Sequence, residues 1–334
     1  MRRKNWNWVF WVVILGIFIV GMGDSLAADL KVDKSKWPKS VFIGGGTTGG
    51  IYQLISGGFL KVFDELGVSA TTGITGGPVP NVILVSEKKA HFSFTTMAAL
   101  DECWEGKGVA KGKKYQNVRV VAPLFVSYLQ FAYLPNKGIQ KVQDLGGKVV
   151  GLGPRGASGD LLGRTYFEIA GIKPSRIVSA SYSDTHNMMK DGLVDALGAD
   201  AAERHPAIME VFNTMKGRVM GPDPQDIPKL VEKNPVLVGG TIPAETYKDH
   251  PAIPSVKNWT VLLADSQLPE DFLYETVKKI FERKSTLVLT HSALNQISYE
   301  GAAEIVLPFH PGAYKFYQDH GTRMKPSAKP PEMK

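Results

Sequence analysis

The 334 residues include 39 Lys and Arg against 32 Asp and Glu, a formal net charge of +7, with 43% apolar side chains. That length suits one large or two medium domains, and the basic excess is scattered in small groups such as Lys111–Lys114 and Lys278–Lys279, which argues against a nucleic-acid-binding stripe. Cys103 is the only cysteine, so no disulfide forms within the chain and stability rests on packing.

The chain opens with three basic residues, Arg2, Arg3 and Lys4, followed by an apolar or glycine run from Trp8 to Gly23. Ser25 and Ala27 then stand at the −3 and −1 positions of a cleavage site. This pattern predicts a signal peptide over residues 1–27 and a mature protein in the periplasm. The alternative is an uncleaved membrane anchor, for which the apolar run is slightly short. Removing the three basic residues and Asp24 leaves a charge of +5.

Strands and helices alternate from there on. The pattern predicts a strand at Val41–Ile43 and a helix at Tyr52–Leu66 with an apolar stripe of Ile55, Phe59, Val62, Phe63 and Leu66. Next come a strand near Val68–Thr72, a helix at Val79–Glu87, a strand at His91–Phe94 and a helix after Thr95. Strands Arg119–Pro123 and Leu129–Leu134 lead to a short helix and a strand at Lys148–Leu152. A helix at Gly159–Ala170 stops at Gly171, a glycine placed as a helix C-cap. A strand at Ile177–Ala180, a helical segment from Thr185 and a strand at Ala196–Ala199 follow. The last third yields helices near Glu270–Thr286 and Glu304–His320. The Pro- and Lys-rich residues 322–334 read as a disordered tail. Such alternation predicts doubly wound α/β units.

Four turns each follow a strand and open a helix: Gly44–Gly50, Thr72–Asn81, the stretch beginning Thr95-Thr96, and Gly153–Asp160. The first satisfies G-x-G-x-x-G through Gly44, Gly46 and Gly49. A dinucleotide site also requires an acidic residue at the end of the next strand, but that strand runs into Thr-Gly-Ile-Thr-Gly-Gly. The better reading is an anion pocket, because helix N-termini offer unpaired N–H groups and the positive end of a dipole. Backbone at Gly50, Gly76 and Ala157 and hydroxyls of Thr47, Thr48, Thr75, Thr95, Thr96 and Ser158 are its candidate donors. The competing reading is that these hydroxyls only cap their own helices. Arg155 is either a bidentate clamp for a ligand carboxylate or a loop-tip surface residue.

Four blocks, IGGGTTGGIYQL, TGGPVPN, GPRGASGD and VLPFHPGAYKFYQDHG, together resemble the TAXI family of solute receptors for TRAP transporters, over roughly residues 39–321. The resemblance implies a type II periplasmic binding fold: two doubly wound α/β lobes that close about a hinge on a ligand cleft. One lobe would comprise residues 39–124 plus 241–321 and the other 125–240, with crossings near Pro123–Tyr128 and Leu237–Thr241. It implies a small organic acid or amino acid ligand, TRAP membrane subunits as partner and a monomeric receptor. The family's ligand-facing positions match Thr47, Thr48, Tyr52, Thr75, Asn81, Ser158 and Gly159. Tyr52 either offers its phenol to the ligand or packs beneath it. The fourth block departs from the family's usual GSGT at Arg155–Asp160, and the small residues of Ala196–Pro206 leave the ligand's identity open.

An exported hydrolase or transferase on a similar two-lobed fold is the alternative function. Against it, the chain has no H-E-x-x-H and no His/Asp/Cys cluster at metal-ligand spacing, so no cofactor or metal is expected. The GASGD stretch is no nucleophile elbow, since Asp160 replaces its final glycine. Asp184 and His186 are close in sequence but lack a nucleophile, and a capping or surface role is expected. His310 reads as structural and Cys103 as helix filler.

Overall fold

The computed structural model describes residues 31–333, so the expected signal peptide lies outside the described residues. Strand β1 (Ser40–Gly44) runs into helix α1 (Ile51–Leu66), and β2 (Ser69–Gly73), α2 (Pro78–Ser86), β3 (Phe92–Thr96) and α3 (Met97–Glu105) follow. The long β4 (Val118–Tyr133) leads to β5 (Val149–Gly151), α4 (Ser158–Ala170), β6 (Arg176–Val178), α5 (Tyr182–Lys190), β7 (Ala196–Ala201) and α6 (Pro206–Met215). Then come β8 (Arg218–Met220), α7 (Ile227–Lys233), β9 (Val238–Ile242) and a second long strand, β10 (Ile253–Asp265). Helices α8 (Glu270–Glu282), α9 (Lys284–Val288), α10 (Tyr299–Glu304) and α11 (Pro311–Asp319) complete the order.

The strands form one sheet in the order β2-β1-β3-β10-β4-β7-β5-β6, with β8 on β4 and β9 on β10. Two parallel triplets stand at its ends, each ordered second, first, third along the chain. Each triplet is bordered by an antiparallel long strand, β10 beside β3 and β4 beside β7. Both long strands change partners midway. Strand β4 pairs with β10 up to Tyr128 and with β7 from Tyr128 on. Strand β10 pairs with β9 up to Lys257 and with β3 from Thr260. Each lobe is therefore built on one triplet, and the connection between lobes is two continuous strands. Register shifts at Thr260/Val261 and Leu262/Leu263 mark the crossing in β10; such bulges bend a strand and sharpen its twist.

Three expectations are corrected. Arg119–Pro123 and Leu129–Leu134 belong to one strand, because Pro123 lies beside the register shift opposite Val261, where a missing N–H is tolerated. The second crossing is in β10 at Lys257–Thr260, not at Leu237–Thr241: Ile242, Tyr247 and Ile253 pack with Leu197, Ala199 and Ile208 of the second lobe. The tail is docked. Phe309 N–H donates to the Ala328 carbonyl at 3.0 Å, Ala328 is fully buried, and Glu332 takes both Nε (3.2 Å) and Nη2 of the buried Arg119. Low apolar content did not prevent ordering, because tertiary partners supply the contacts.

The stripe of α1 is buried as its 3.6-residue period predicts, Phe59 edge-on to Phe94 and Phe63 against Phe92. Each such side chain contributes roughly 1.5–3 kcal/mol of burial. Gly67 and Gly171 end α1 and α4 in the left-handed conformation that glycine adopts without steric penalty.

Candidate functional site

A cavity between the two lobes encloses about 390 Å³ of empty space, part of it open to solvent. The N-cap residues of four helices line it: Gly50 of α1, Gly77 of α2, Ala157 of α4 and His205 of α6. None of the four is capped by its own side chain. Away from it α3, α10 and α11 are capped by Thr96, Ser298 and His310, whereas α5, whose Tyr182 also lines the cavity, is capped by Ser181. At α1 and α4 no side chain caps the first turn, and the helix dipole there favours an anion.

The four termini are not equivalent. In α1 and α4, which belong to opposite lobes, the first-turn residues carry N–H groups, and Ile51, Tyr52 and Ser158 line the cavity. In α2 two of the first three residues are prolines, Pro78 and Pro80, which have no N–H. The third, Val79, donates to the Gly156 carbonyl of the other lobe at 3.2 Å. Gly77 N–H is taken by Thr75 Oγ1 at 3.3 Å and Asn81 N–H by the Gly77 carbonyl at 2.9 Å. The second turn therefore offers the cavity no N–H group; it clasps the lobes together.

The lobes also approach each other closely at two glycines. A Cβ on Gly49, whose φ is +77°, would strike Ser183 of α5 at its Oγ and, at 3.0 Å, its N. A Cβ on Gly156, with φ +82°, would meet Pro80 Cδ at 3.2 Å.

The expected site residues separate into three groups. Thr47, Gly50, Tyr52, Ala157 and Ser158 line the cavity. Thr75, Asn81, Thr95, Thr96 and Gly159 stand behind the lining as supports. Thr75 Oγ1 donates to the Gly45 carbonyl at 3.1 Å, and the Asn81 amide to the carbonyls of Gly45 and Phe94, both at 2.7 Å. Thr95 donates to the Pro78 carbonyl at 3.1 Å, while Thr96 caps α3. Gly159 lets α4 approach β7, since a Cβ there would be 3.0 Å from both Ala199 Cα and the Gly198 carbonyl oxygen. Thr48, Gly76 and Arg155 are not in the lining; Thr48 and Arg155 are exposed. The capping alternative holds only for Thr96.

The floor of the cavity is a polar chain on the crossing strands. Tyr52 Oη is 3.3 Å from Thr260 Oγ1, which is 3.0 Å from Ser127 Oγ. Burial pushes the Tyr52 and Tyr182 hydroxyls up, so both stay neutral.

Three side chains in the lining fall outside the sequence reading: Tyr182, Asp200 and His205. Asp200 is 4% exposed. Its Oδ2 accepts from Asn258 Nδ2 at 2.6 Å, and its backbone carbonyl accepts from Ser158 Oγ at 2.8 Å. Burial pushes its carboxyl up to about 7, and hydrogen bonding to Asn258 and Ser158 offsets only part of this. His205 is fully enclosed, edge-on to Tyr182 at 4.9 Å between centroids, and burial lowers it to about 3. It is neutral at physiological pH. A charged residue amid Ala199, Ala201 and Ala202 was the only sequence signal for Asp200.

The remaining reactive side chains sit elsewhere. Asp184 accepts from Ser181 Oγ at 2.6 Å, and His186 Nδ1 is 3.2 Å from Glu210, so the two do not orient each other. His310 accepts from Gly312 N–H at 3.3 Å as a cap, and burial pushes the Cys103 thiol up to about 12. Among the described residues no group of three metal-ligating side chains occurs.

Two α/β lobes joined by crossing strands, with helix N-termini facing an interlobe cavity, define the type II periplasmic binding fold. The chain belongs to the NMT1-like family, whose profile matches residues 43–321. Among solved structures it is similar to a periplasmic transporter at 15% identity, covering 84% of this chain and 92% of that one with a TM-score of 0.51. An ancestral arginine-binding protein bound to arginine matches at 14% identity, 76% and 97% coverage and TM-score 0.49. The GluR0 ligand-binding core from Nostoc punctiforme in complex with L-glutamate matches at 13%, with 76% and 96% coverage and TM-score 0.46.

Proposed function

We propose that this protein is an extracytoplasmic solute receptor that captures a small organic anion, an amino acid or carboxylic acid, and delivers it to a TRAP-type permease. The signal peptide at residues 1–27 would send it to the periplasm as a monomer. One observation carries the reading: α1 and α4, from opposite lobes, bring uncapped N-termini to one cavity. An anion bridging them is satisfied only when the lobes meet, which couples binding to closure. The TAXI resemblance of the four sequence blocks supports the permease assignment. The same reading expects binding without turnover.

Mass spectrometry of small molecules released from protein purified without refolding tests this. The expected result is a carboxylic or amino acid that rebinds in titration calorimetry and is recovered unchanged after long incubation with stoichiometric protein. Preferential binding of NADH or ATP, or conversion of the bound compound, would overturn it.

A further inference from the structure

Asp200 poses a charge problem that its own protein does not solve. Its Oδ1 is buried and meets no donor among the described residues, while Oδ2 has the single amide of Asn258. No Lys or Arg lines the cavity among the described residues. An ionised carboxylate taken out of water without a counter-charge is strongly disfavoured. His205 adds a second buried atom without a partner, Nδ1, in the same lining.

We infer that Asp200 Oδ1 accepts a hydrogen bond from a cationic group of the ligand, so that the cavity takes a zwitterion carrying an ammonium beside its anionic end. This rests on the reading of the cavity as a solute site and narrows it: a 2-oxo acid or dicarboxylate can use the helix N-termini but leaves Asp200 unpaired. The neutral His205 is suited to accept a second ammonium proton when its N–H is on Nε2. A buried acceptor left without its donor rejects the analogue that lacks one.

The ammonium needs Asp200 ionised. The groups around it do not compete in the neutral range: Tyr52 of α1 and Tyr182 of α5 are pushed upward, and His205 is held low. Asp160 of α4 is paired with Arg164, and Asn258 of β10 does not titrate. Affinity for an ammonium-bearing ligand therefore falls as pH drops below about 7, by up to about tenfold per pH unit.

The test is calorimetry on matched pairs: L-glutamate with 2-oxoglutarate, L-leucine with 4-methyl-2-oxopentanoate, and L-alanine with pyruvate. The expected result is an amino acid binding at least about tenfold tighter than its oxo partner at about pH 8, with the margin shrinking at about pH 6. Asp200→Asn should abolish both the preference and its pH dependence. That variant keeps shape and removes the buried charge, so its apo unfolding temperature at about pH 8 should equal or exceed the parent's; the pH series on the parent stands even if the variant misfolds. An oxo acid that binds as tightly as its amino partner, or a preference retained in Asp200→Asn, overturns the zwitterion inference and leaves the receptor reading intact. No binding by any member of the pairs, with no small molecule released on denaturation, overturns both.

Discussion

The turns Gly44–Gly50 and Thr72–Asn81 lie on one lobe, follow adjacent parallel strands, and share a vocabulary of glycine and threonine. They use it oppositely. The first turn keeps side chains away from the start of α1, leaves Thr47 on the cavity and places Gly50, Ile51 and Tyr52 in its wall. In the second, the N–H groups of Thr75, Gly77 and Asn81 go to Gly46, Thr75 and Gly77, and that of Val79 crosses the cleft to Gly156. Proline makes the difference: Pro78 and Pro80 remove two donors at the place where an anion site would need them. Glycine-rich turns at helix starts are thus not interchangeable evidence for anion binding; the count of free N–H groups decides.

The largest effect expected from breaking this contrast is at Gly49. Gly49→Ala forces a side chain into a left-handed conformation, at about 1–2 kcal/mol, and pushes it against Ser183 of the opposite lobe. Closure should fail, and affinity for the ligand identified by mass spectrometry should drop about a hundredfold, roughly 2.7 kcal/mol. Small-angle scattering should show the variant open at saturating ligand while circular dichroism stays unchanged. Parent-like binding would remove the first turn from the closing surface.

The paired threonines sharpen the contrast. Thr47 Oγ1 has no partner among the described residues and borders the cavity, so Thr47→Val should weaken binding about tenfold with the apo melting temperature unmoved. Thr75 Oγ1 bridges the Gly45 carbonyl and Gly77 N–H. Thr75→Val should instead lower stability by about 1–3 kcal/mol, read as a fall in melting temperature, with affinity changed less than in Thr47→Val. Exchange of these phenotypes would refute the division of roles.

Gly156→Ala probes the clasp. The added methyl contacts Pro80 and Val79 and strains a positive φ; a loss of several-fold in affinity, about 1 kcal/mol, is expected. The smallest effect belongs to Thr48→Val, on the same turn as Thr47 but exposed and outside the lining. Its binding isotherm should overlay that of the parent. A clear loss there would move the ligand toward the cleft mouth.

The same lesson governs what the sequence disclosed. Periodicity and caps located α1, α2 and α4 within a residue or so, because amphipathic stripes and glycine stops are local properties. Strand β10 left no clear pattern, since it is buried along most of its length and serves both lobes. Pro123 reads as a break in a sequence and is tolerated only because a register shift lies beside it. Within the site, the first and fourth turns were legible as strand–glycine–helix junctions. Thr48 and Arg155 stand exposed outside the lining, since the direction of a side chain at a loop tip is not encoded locally. Asp200 was missed for the converse reason: its significance arises from burial without a counter-charge, a property of the assembled lobes.

The placement of Trp259 has an optical consequence. It stands on β10 at the crossing, opposite Val126 of β4, and packs against both hydrophobic clusters, while its indole N–H donates to Glu304 at 2.7 Å. The other two described tryptophans are held elsewhere, Trp37 against Phe272 and Asp271, and Trp104 beneath Arg119. A change in hinge angle should therefore alter the surroundings of Trp259 more than those of Trp37 or Trp104. Under the receptor reading, intrinsic tryptophan emission should report opening and closing without a label.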